Sequence, residues 1–173
     1  MSLEVSPTSK RNDELASMCH TPGVEFHGPH HVTLTVTDLD RASAWYREIL
    51  GFGETVRYRN DAIAADCAVL AHPDAAPPTL GLRQYDSQRA DAFDERHIGL
   101  DHIAFNVGDA DSLEEWQAHL RAHGVAFTVT ALPELTILVM RDPDNIQLEL
   151  CTTIVGPQSS IGEDGRIALP PDA

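Results

Sequence analysis

The chain has 173 residues, a hydrophobic fraction of 42% and a formal net charge of −15, which suits one compact domain with a sizeable core. Its acidic surface repels phosphate backbones and anionic lipid, so nucleic-acid and membrane roles are not expected. No apolar run approaches the roughly 20 residues needed to cross a bilayer.

Residues 1–27 are polar, lack hydrophobic periodicity and contain Pro7 and Pro22, so we expect a flexible arm. The arm has no apolar core of the kind that a secretory signal carries, and a cytoplasmic location is therefore expected. The cysteines are scattered without a C-x-x-C pair, and we expect them to be reduced. They are Cys19, Cys67 and Cys151.

The first predicted strand, His31–Val36, alternates between apolar and polar residues. Because successive strand side chains point to opposite sides of a sheet, Val32 and Leu34 share an apolar face, and His31 lies on the other face. Thr33 and Thr35 accompany His31. We call this polar side the histidine face of the module.

A helix is predicted from about Asp40 to Leu50, with Thr37 or Asp38 as its N-cap and Gly51 as its end. Trp45 and Ile49, four residues apart, are expected to form its buried stripe. Three shorter strands are predicted to follow, at Thr55–Arg59, Cys67–Ala71 and Thr79–Tyr85. Residues 87–97 are charged and aperiodic, and we expect them to connect two halves of the domain.

The second half follows the same plan. A strand over His102–Val107 precedes a helix that begins near Asp109 and ends at about His123. Leu113, Trp116 and Leu120 are predicted on the inner face of this helix. Strands are then predicted at Val125–Thr130, Leu135–Met140 and Ile146–Cys151, with a tight turn at residues 141–145, which are rich in Asp, Pro and Asn.

The two halves are copies of one unit. The offset that relates His31 to His102 also relates Trp45 to Trp116, and such a fixed period indicates duplication. We therefore predict an α+β fold of two βαβββ modules. Module 1 spans residues 28–86 and module 2 spans residues 98–151, within a single domain of residues 28–151. Residues 152–173 form a tail with no predicted element.

The last strand adds an acidic residue to the histidine face. Leu148 and Leu150 are apolar, so the alternating Gln147, Glu149 and Cys151 lie on the side that carries His102. An unpaired carboxylate in a sheet would be costly to bury, so Glu149 is expected to have a partner. In the first half, the residue that corresponds to Glu149 is Gly81.

His31, His102 and Glu149 are the candidate metal ligands. Two imidazoles and one carboxylate form a facial triad, which leaves up to three positions open on an octahedral ion. Open positions let a metal bind substrate and act as a Lewis acid. We favour Fe2+ or Mn2+, with Zn2+ or Ni2+ as alternatives. The alternative is a structural role without metal, in which the histidines hydrogen-bond to backbone and Glu149 faces solvent. The duplicated position of the histidines, and the alternation that puts Glu149 on their face, favour the metal site.

Further residues on the same faces are candidate substrate-pocket residues, although a merely solvated strand face explains them equally well. No catalytic acid or base is assigned. The candidates are Thr33, Thr35, Arg83, Tyr85, Asn106 and Gln147.

Four segments resemble the vicinal oxygen chelate superfamily, which includes glyoxalase I, bleomycin-resistance proteins, fosfomycin-resistance enzymes and extradiol dioxygenases. They are His31–Leu39, Trp45–Phe52, Leu100–Phe105 and Arg141–Leu150. The resemblance implies paired modules that form an open, barrel-like mixed sheet with helices on its outer side, often in a homodimer. It also implies a divalent metal that chelates neighbouring oxygens of a small-molecule substrate.

Departures from the family pattern narrow this expectation. Gly81 stands where glyoxalase I contributes a carboxylate or glutamine. Extradiol dioxygenases match the triad, but their signature has a tyrosine at Val139 and a histidine within residues 129–138, where this chain has none. The chain lacks the basic cluster that a phosphonate substrate needs, and the triad argues against the metal-free bleomycin binders.

The function expected from sequence is a metal-dependent enzyme with dioxygenase-type or glyoxalase-type (lyase or isomerase) chemistry on a small oxygenated organic substrate. The alternative is a non-catalytic, antibiotic-like small-molecule binding or resistance protein of the same fold.

Overall fold

The computed structural model describes residues 29–74, 79–88, 91–132 and 135–152. The predicted arm and nearly all of the predicted tail lie outside the described residues. From His31 onward, the described residues belong to one compact unit. Within these ranges, no helix combines the length and hydropathy that a membrane span requires.

The described elements follow the order β-α-β-β-β twice, as predicted, with boundaries that differ by about two residues at most. Module 1 contains β1 (His31–Thr35), α1 (Leu39–Leu50), β2 (Gly53–Asn60), β3 (Ala65–Ala71) and β4 (Thr79–Tyr85), with a short 3-10 helix (Asp61–Ile63) before β3. Module 2 contains β5 (His102–Gly108), α2 (Ala110–Ala122), β6 (Phe127–Ala131), β7 (Thr136–Arg141) and β8 (Gln147–Thr152).

The helix ends follow the capping residues. Asp38 precedes α1 and accepts a hydrogen bond from Arg41 N at 2.9 Å, and Gly51 ends the helix with φ of +73°, a left-handed conformation that favours glycine. The prediction for the buried stripe of α1 was wrong in one residue. Tyr46 is fully buried, whereas Trp45 is only partly buried and packs against the core from its margin.

Each module forms its own four-stranded mixed sheet, in the order β1-β4-β3-β2 or β5-β8-β7-β6. β1 pairs in parallel with β4, and β5 pairs in parallel with β8, while the other pairs are antiparallel. Two open mixed sheets and two helices confirm the predicted α+β class. β1 and β5 are therefore edge strands of separate sheets, and they are not neighbours in one continuous sheet.

One hydrophobic core joins the two modules. It includes Leu34 and Tyr46 from module 1 together with Leu138 and Leu148 from module 2. On the opposite side of each sheet, the histidine face remains outside this core. Its β1 and β5 residues are exposed: His31, Thr33, Thr35, His102, Ala104 and Asn106.

Two buried aspartates of the turn before β8 hold the modules together. Asp142 Oδ2 accepts a hydrogen bond from the hydroxyl of Tyr46 at 3.1 Å. Asp144 accepts one from Thr37 N at 3.1 Å and pairs with Arg41 at 2.7 Å. A buried carboxylate without partners would be strongly destabilising, so these contacts fix how module 1 sits against the turn.

Candidate metal centre

The candidate metal centre begins with two residues on adjacent strands of module 2. His102 opens β5 and is opposite Gln147 in the register of β8, while Ala104 is opposite Glu149. Because alternate residues share a face, His102 and Glu149 project from the same side of the sheet. Their side chains approach each other, with His102 Nε2 3.6 Å from Glu149 Oε2.

Asp101 orients the imidazole of His102. The Nδ1 atom of His102 lies 2.7 Å from Asp101 Oδ1. Because an ionised carboxylate only accepts hydrogen bonds, Nδ1 is the ring nitrogen that donates to Asp101, and Nε2 is the ring nitrogen that faces Glu149. A carboxylate on the far nitrogen is the usual second partner of a metal-binding histidine.

Glu149 is held from its other oxygen. Gln147 Nε2 donates to Glu149 Oε1 at 3.1 Å, and Gln147 Oε1 accepts a hydrogen bond from Arg141 Nη2 at 2.9 Å. Arg141 also forms a two-point ion pair with Glu95, at 2.8 Å and 2.7 Å. These hydrogen bonds hold Oε1 and leave Oε2 of Glu149 directed at His102.

The connector is tied to this network, although the sequence showed no contact for it. Beyond the Arg141–Glu95 pair, Phe93 packs against the core, and its backbone N donates to Asp144 O at 2.9 Å. Asn145 Nδ2 donates to Phe93 O at 2.7 Å. The connector therefore contacts the turn between β7 and β8, where Arg141 ends β7 and Gln147 begins β8.

The donor set of this pair suits a divalent ion. At metal–ligand distances of about 2.1 Å, two donors on one ion lie roughly 3 to 3.5 Å apart, close to the observed 3.6 Å. The side chain of Glu149 is only 13% exposed, and no lysine or arginine of the described ranges pairs with it. A cation at this point would compensate the carboxylate, and the nitrogen–oxygen donor set is compatible with Fe2+, Mn2+ and Zn2+.

The third predicted ligand is elsewhere. His31 is exposed at the start of β1, in the other sheet. In the part of the chain that the structure describes, no three His, Cys, Asp or Glu side chains form a group that could hold a metal ion. One chain therefore brings His102 and Glu149 together but does not bring His31 to them, because β1 pairs with β4 only and β5 pairs with β8 only.

Module 1 provides no carboxylate at the position equivalent to Glu149. Gly81 is opposite Thr33, and a Cβ atom on Gly81 would lie 2.6 Å from Thr33 Oγ1. The threonine side chain thus occupies the space that a larger residue would need. Module 1 offers one candidate ligand, His31, and module 2 offers two.

The predicted pocket residues divide between the two histidine faces. In module 1, Thr35 is opposite Arg83, whose Nη1 donates to the Tyr85 hydroxyl at 3.2 Å. In module 2, Asn106 Oδ1 accepts a hydrogen bond from Gly108 N at 3.0 Å. The sequence interpretation missed three positioning residues. Asp101 could have been found as the acid beside a candidate ligand, but Arg141 and Glu95 carried no signal.

The chain is similar to known proteins in sequence and in fold. The family model of the Glyoxalase/Bleomycin resistance protein/Dioxygenase superfamily matches residues 28–150. The uncharacterized protein YaeR of Escherichia coli is 29% identical over 127 residues, which are 70% of this chain and 92% of YaeR.

Two solved structures show the same architecture. A glyoxylase/bleomycin resistance protein/dioxygenase domain from Frankia sp. EAN1pec has a TM-score of 0.68 and 38% identity, with 78% of this chain and 96% of that chain covered. The fosfomycin resistance protein FosX from Listeria monocytogenes, in complex with Mn(II) and sulfate, has a TM-score of 0.54 and 21% identity, with 75% and 94% covered. At that identity, the likeness to FosX concerns the fold alone.

Proposed function

The chain belongs to the glyoxalase/bleomycin resistance protein/dioxygenase superfamily, and on that premise we propose that it is a metal-dependent vicinal-oxygen-chelate enzyme for a small oxygenated organic molecule. The observation that carries the proposal is the His102–Glu149 pair, with its 3.6 Å separation and its supporting contacts from Asp101 and Gln147. Mn2+ and Fe2+ are the ions that we favour, because both accept the nitrogen and oxygen donors of this pair and leave positions open for substrate.

We assign the third ligand to His31 of a second copy of the chain. β1 and β5 are edge strands, and each carries its exposed histidine on the histidine face. A two-fold axis that brings β1 of one copy beside β5 of another also brings their counterparts together, so a homodimer would contain two identical sites. Pairing of this kind would also cover two open sheet edges in each copy.

The residues of the chain would then have separate tasks. Asp101 holds the proton on His102 Nδ1, and Gln147 holds Glu149 Oε1, so that Nε2 and Oε2 face the ion. When bound, the metal supplies Lewis acidity to neighbouring oxygens of the substrate. Three protein ligands leave room for those oxygens. The Thr33 hydroxyl, which is exposed on the same face as His31, would be a hydrogen-bond partner for the bound molecule.

The position opposite Glu149 bears on the type of reaction. In the register of β7 and β8, Val139 pairs with Glu149, so the residue where extradiol dioxygenases place a tyrosine is an aliphatic neighbour of the site. No phenol hydroxyl is available there to position a substrate or move a proton. The proposal therefore includes oxygen chemistry that needs no tyrosine at this position, and it includes glyoxalase-type chemistry.

Metal analysis after purification without chelators tests the proposal. We expect one ion per chain in the wild type, loss of the ion in Glu149→Ala, and wild-type content in the control Glu114→Ala, which removes an exposed acid from α2. Aerobic reconstitution with Fe2+ or Mn2+, followed by an oxygen-uptake screen with catechols and 2-oxo compounds, separates the reaction types. A wild type that stays metal-free but binds these compounds would contradict the proposal and indicate a binding protein.

A further inference from the structure

We propose that Arg83 forms a carboxylate-binding subsite on the histidine face of module 1, so that the substrate carries one carboxylate in addition to its chelating oxygens. This inference rests on the proposed function, in which that face is one wall of the active site. It names a substrate class that the family assignment leaves open.

Arg83 lies in a row of side chains that crosses the sheet. Thr35 is opposite Arg83 on one side, and Cys67 is opposite it on the other. Tyr58, 44% exposed, is opposite Cys67 on β2. The next row toward His31 contains Thr33 and Gly81, and the Thr33 side chain occupies the space beside Gly81, so no residue larger than threonine lies between the Arg83 row and the His31 row on these two strands.

Within the described residues, Arg83 has no carboxylate partner, which sets it apart from most of the described arginines; its titratable neighbours are the Tyr85 hydroxyl and the buried Cys67 thiol. The described arginines that pair with a carboxylate are Arg41, Arg47, Arg57, Arg59, Arg96 and Arg141. Arg83 instead donates to the Tyr85 hydroxyl, and its guanidinium carbon lies 5.9 Å from the centre of the Tyr85 ring. A half-buried cation without a counterion is suited to an anion from solution.

The hydrogen-bonding atoms of Arg83 define what that anion should be. Nη1 is engaged by Tyr85, whereas Nε is buried and has no hydrogen-bond partner within the described residues. The N–H groups of Nε and Nη2 are parallel in a guanidinium and match the two oxygens of a carboxylate. A carboxylate that docks on Nη2, with a small rotation of the guanidinium, also satisfies Nε and recovers the cost of its unmade hydrogen bond.

The position of Arg83 also limits the length of the substrate. Residues on one face of a parallel strand repeat every ~6.6 Å, and the rows of Arg83 and His31 are two such steps apart, or roughly 13 Å. The arginine side chain can span several ångströms of this distance, and the substrate must span the rest. The carboxylate and the chelating oxygens should therefore be separated by several carbon atoms. The formal charge of −15 disfavours more strongly charged groups, which is why we propose a carboxylate and not a phosphate.

The test observes Arg83 directly in metal-free, 15N-labelled protein. The Nε–H signal of Arg83 is assigned by its loss in Arg83→Lys, and the protein is titrated with 3-phenylpropanoate, with the neutral 3-phenylpropanamide and with inorganic phosphate. We expect the signal to shift with the carboxylate and not with the amide. Arg83→Gln should weaken carboxylate binding by about tenfold or more. Arg83→Lys, which keeps the charge but loses the two parallel N–H groups, should weaken it less.

Arg121→Gln is the matched control. Arg121 also lacks a carboxylate partner, but it is exposed on α2, where it donates to Gln117 and lies over the Phe127 ring, so its loss should leave carboxylate binding unchanged. A signal that ignores 3-phenylpropanoate, or that responds more strongly to phosphate, would overturn the inference. Because no metal is present, failure here and failure of the proposed metal site are observed independently.

Discussion

His102 Nε2 and Glu149 Oε2 lie 3.6 Å apart on two neighbouring parallel strands of module 2. Each side chain is held from its far side, His102 by Asp101 and Glu149 by Gln147. Two donors that are both held in place and aimed at one point are the basis of the proposed metal centre, and the following predictions test its parts.

Gln147→Leu should lower metal affinity by about 10-fold to 100-fold, because Glu149 would lose the donor that holds Oε1. The unfolding free energy should change by only about 1 kcal/mol. Competition with a metal chelator measures the affinity. Gln117→Leu, which removes a similar amide from α2, is the control. Equal affinities in the two variants would show that Gln147 does not position Glu149.

Asp101→Ala should weaken metal binding to a similar degree, about 10-fold to 100-fold. The reason is specific to the imidazole, because without a carboxylate at Nδ1 the proton can move to Nε2 and block the donor. Long-range 1H–15N spectra of His102 report the tautomer, and Asp101→Asn, which retains an acceptor oxygen, should restore part of the Nδ1–H form. An unchanged tautomer in Asp101→Ala would contradict this role.

Gly81→Ala should destabilise the protein by about 1 to 3 kcal/mol, because the added Cβ would lie 2.6 Å from Thr33 Oγ1 and a neighbour must move. Thr33→Ala removes the two nearest atoms, Oγ1 and Cγ2, and leaves only Cβ at 3.3 Å, so the double variant should recover most of the loss. Urea unfolding of the four proteins forms a double-mutant cycle. Additive effects would mean that the two residues do not compete for this space.

Burial raises the pKa of Asp142 above its ordinary value, although hydrogen bonds from Ile146 N, Asp144 N and the Tyr46 hydroxyl oppose the shift. A raised pKa in the folded state means that its stabilising contribution is complete below the unfolded pKa of about 3.9 and declines as pH rises through the folded value. The wild type should therefore lose stability relative to Asp142→Asn as pH increases across that window. Urea unfolding at a series of pH values measures the difference, and a difference that grows in favour of the wild type would contradict the prediction.

Most of the fold could be predicted from the sequence because it is repeated. The duplication predicts the element order, and the two-residue period of the strands predicts from sequence alone that His102 and Glu149 share one face. The same alignment identified Gly81 as the position where module 1 lacks a carboxylate. These inferences depend only on local periodicity, which the chain displays directly.

The packing of one module against the other could not be predicted in this way. It depends on long-range contacts such as Tyr46 to Asp142 and Arg41 to Asp144, and the aspartates carry only a turn signal in the sequence. The separation of His31 from the His102–Glu149 pair follows from that packing. The same limit applies to Glu95, whose ion pair with Arg141 joins a connector to a strand end.

The metal content of a mixed dimer tests the central claim most directly. His31→Ala and Glu149→Ala chains, with different affinity tags, are refolded together, and the doubly tagged dimer is isolated and analysed for metal beside each variant alone. If His31 of one copy completes the His102–Glu149 site of the other, each variant alone is empty and the mixed dimer binds one ion, half the wild-type content. A mixed dimer as empty as its parents, beside a wild type that binds metal, would contradict a site shared between chains.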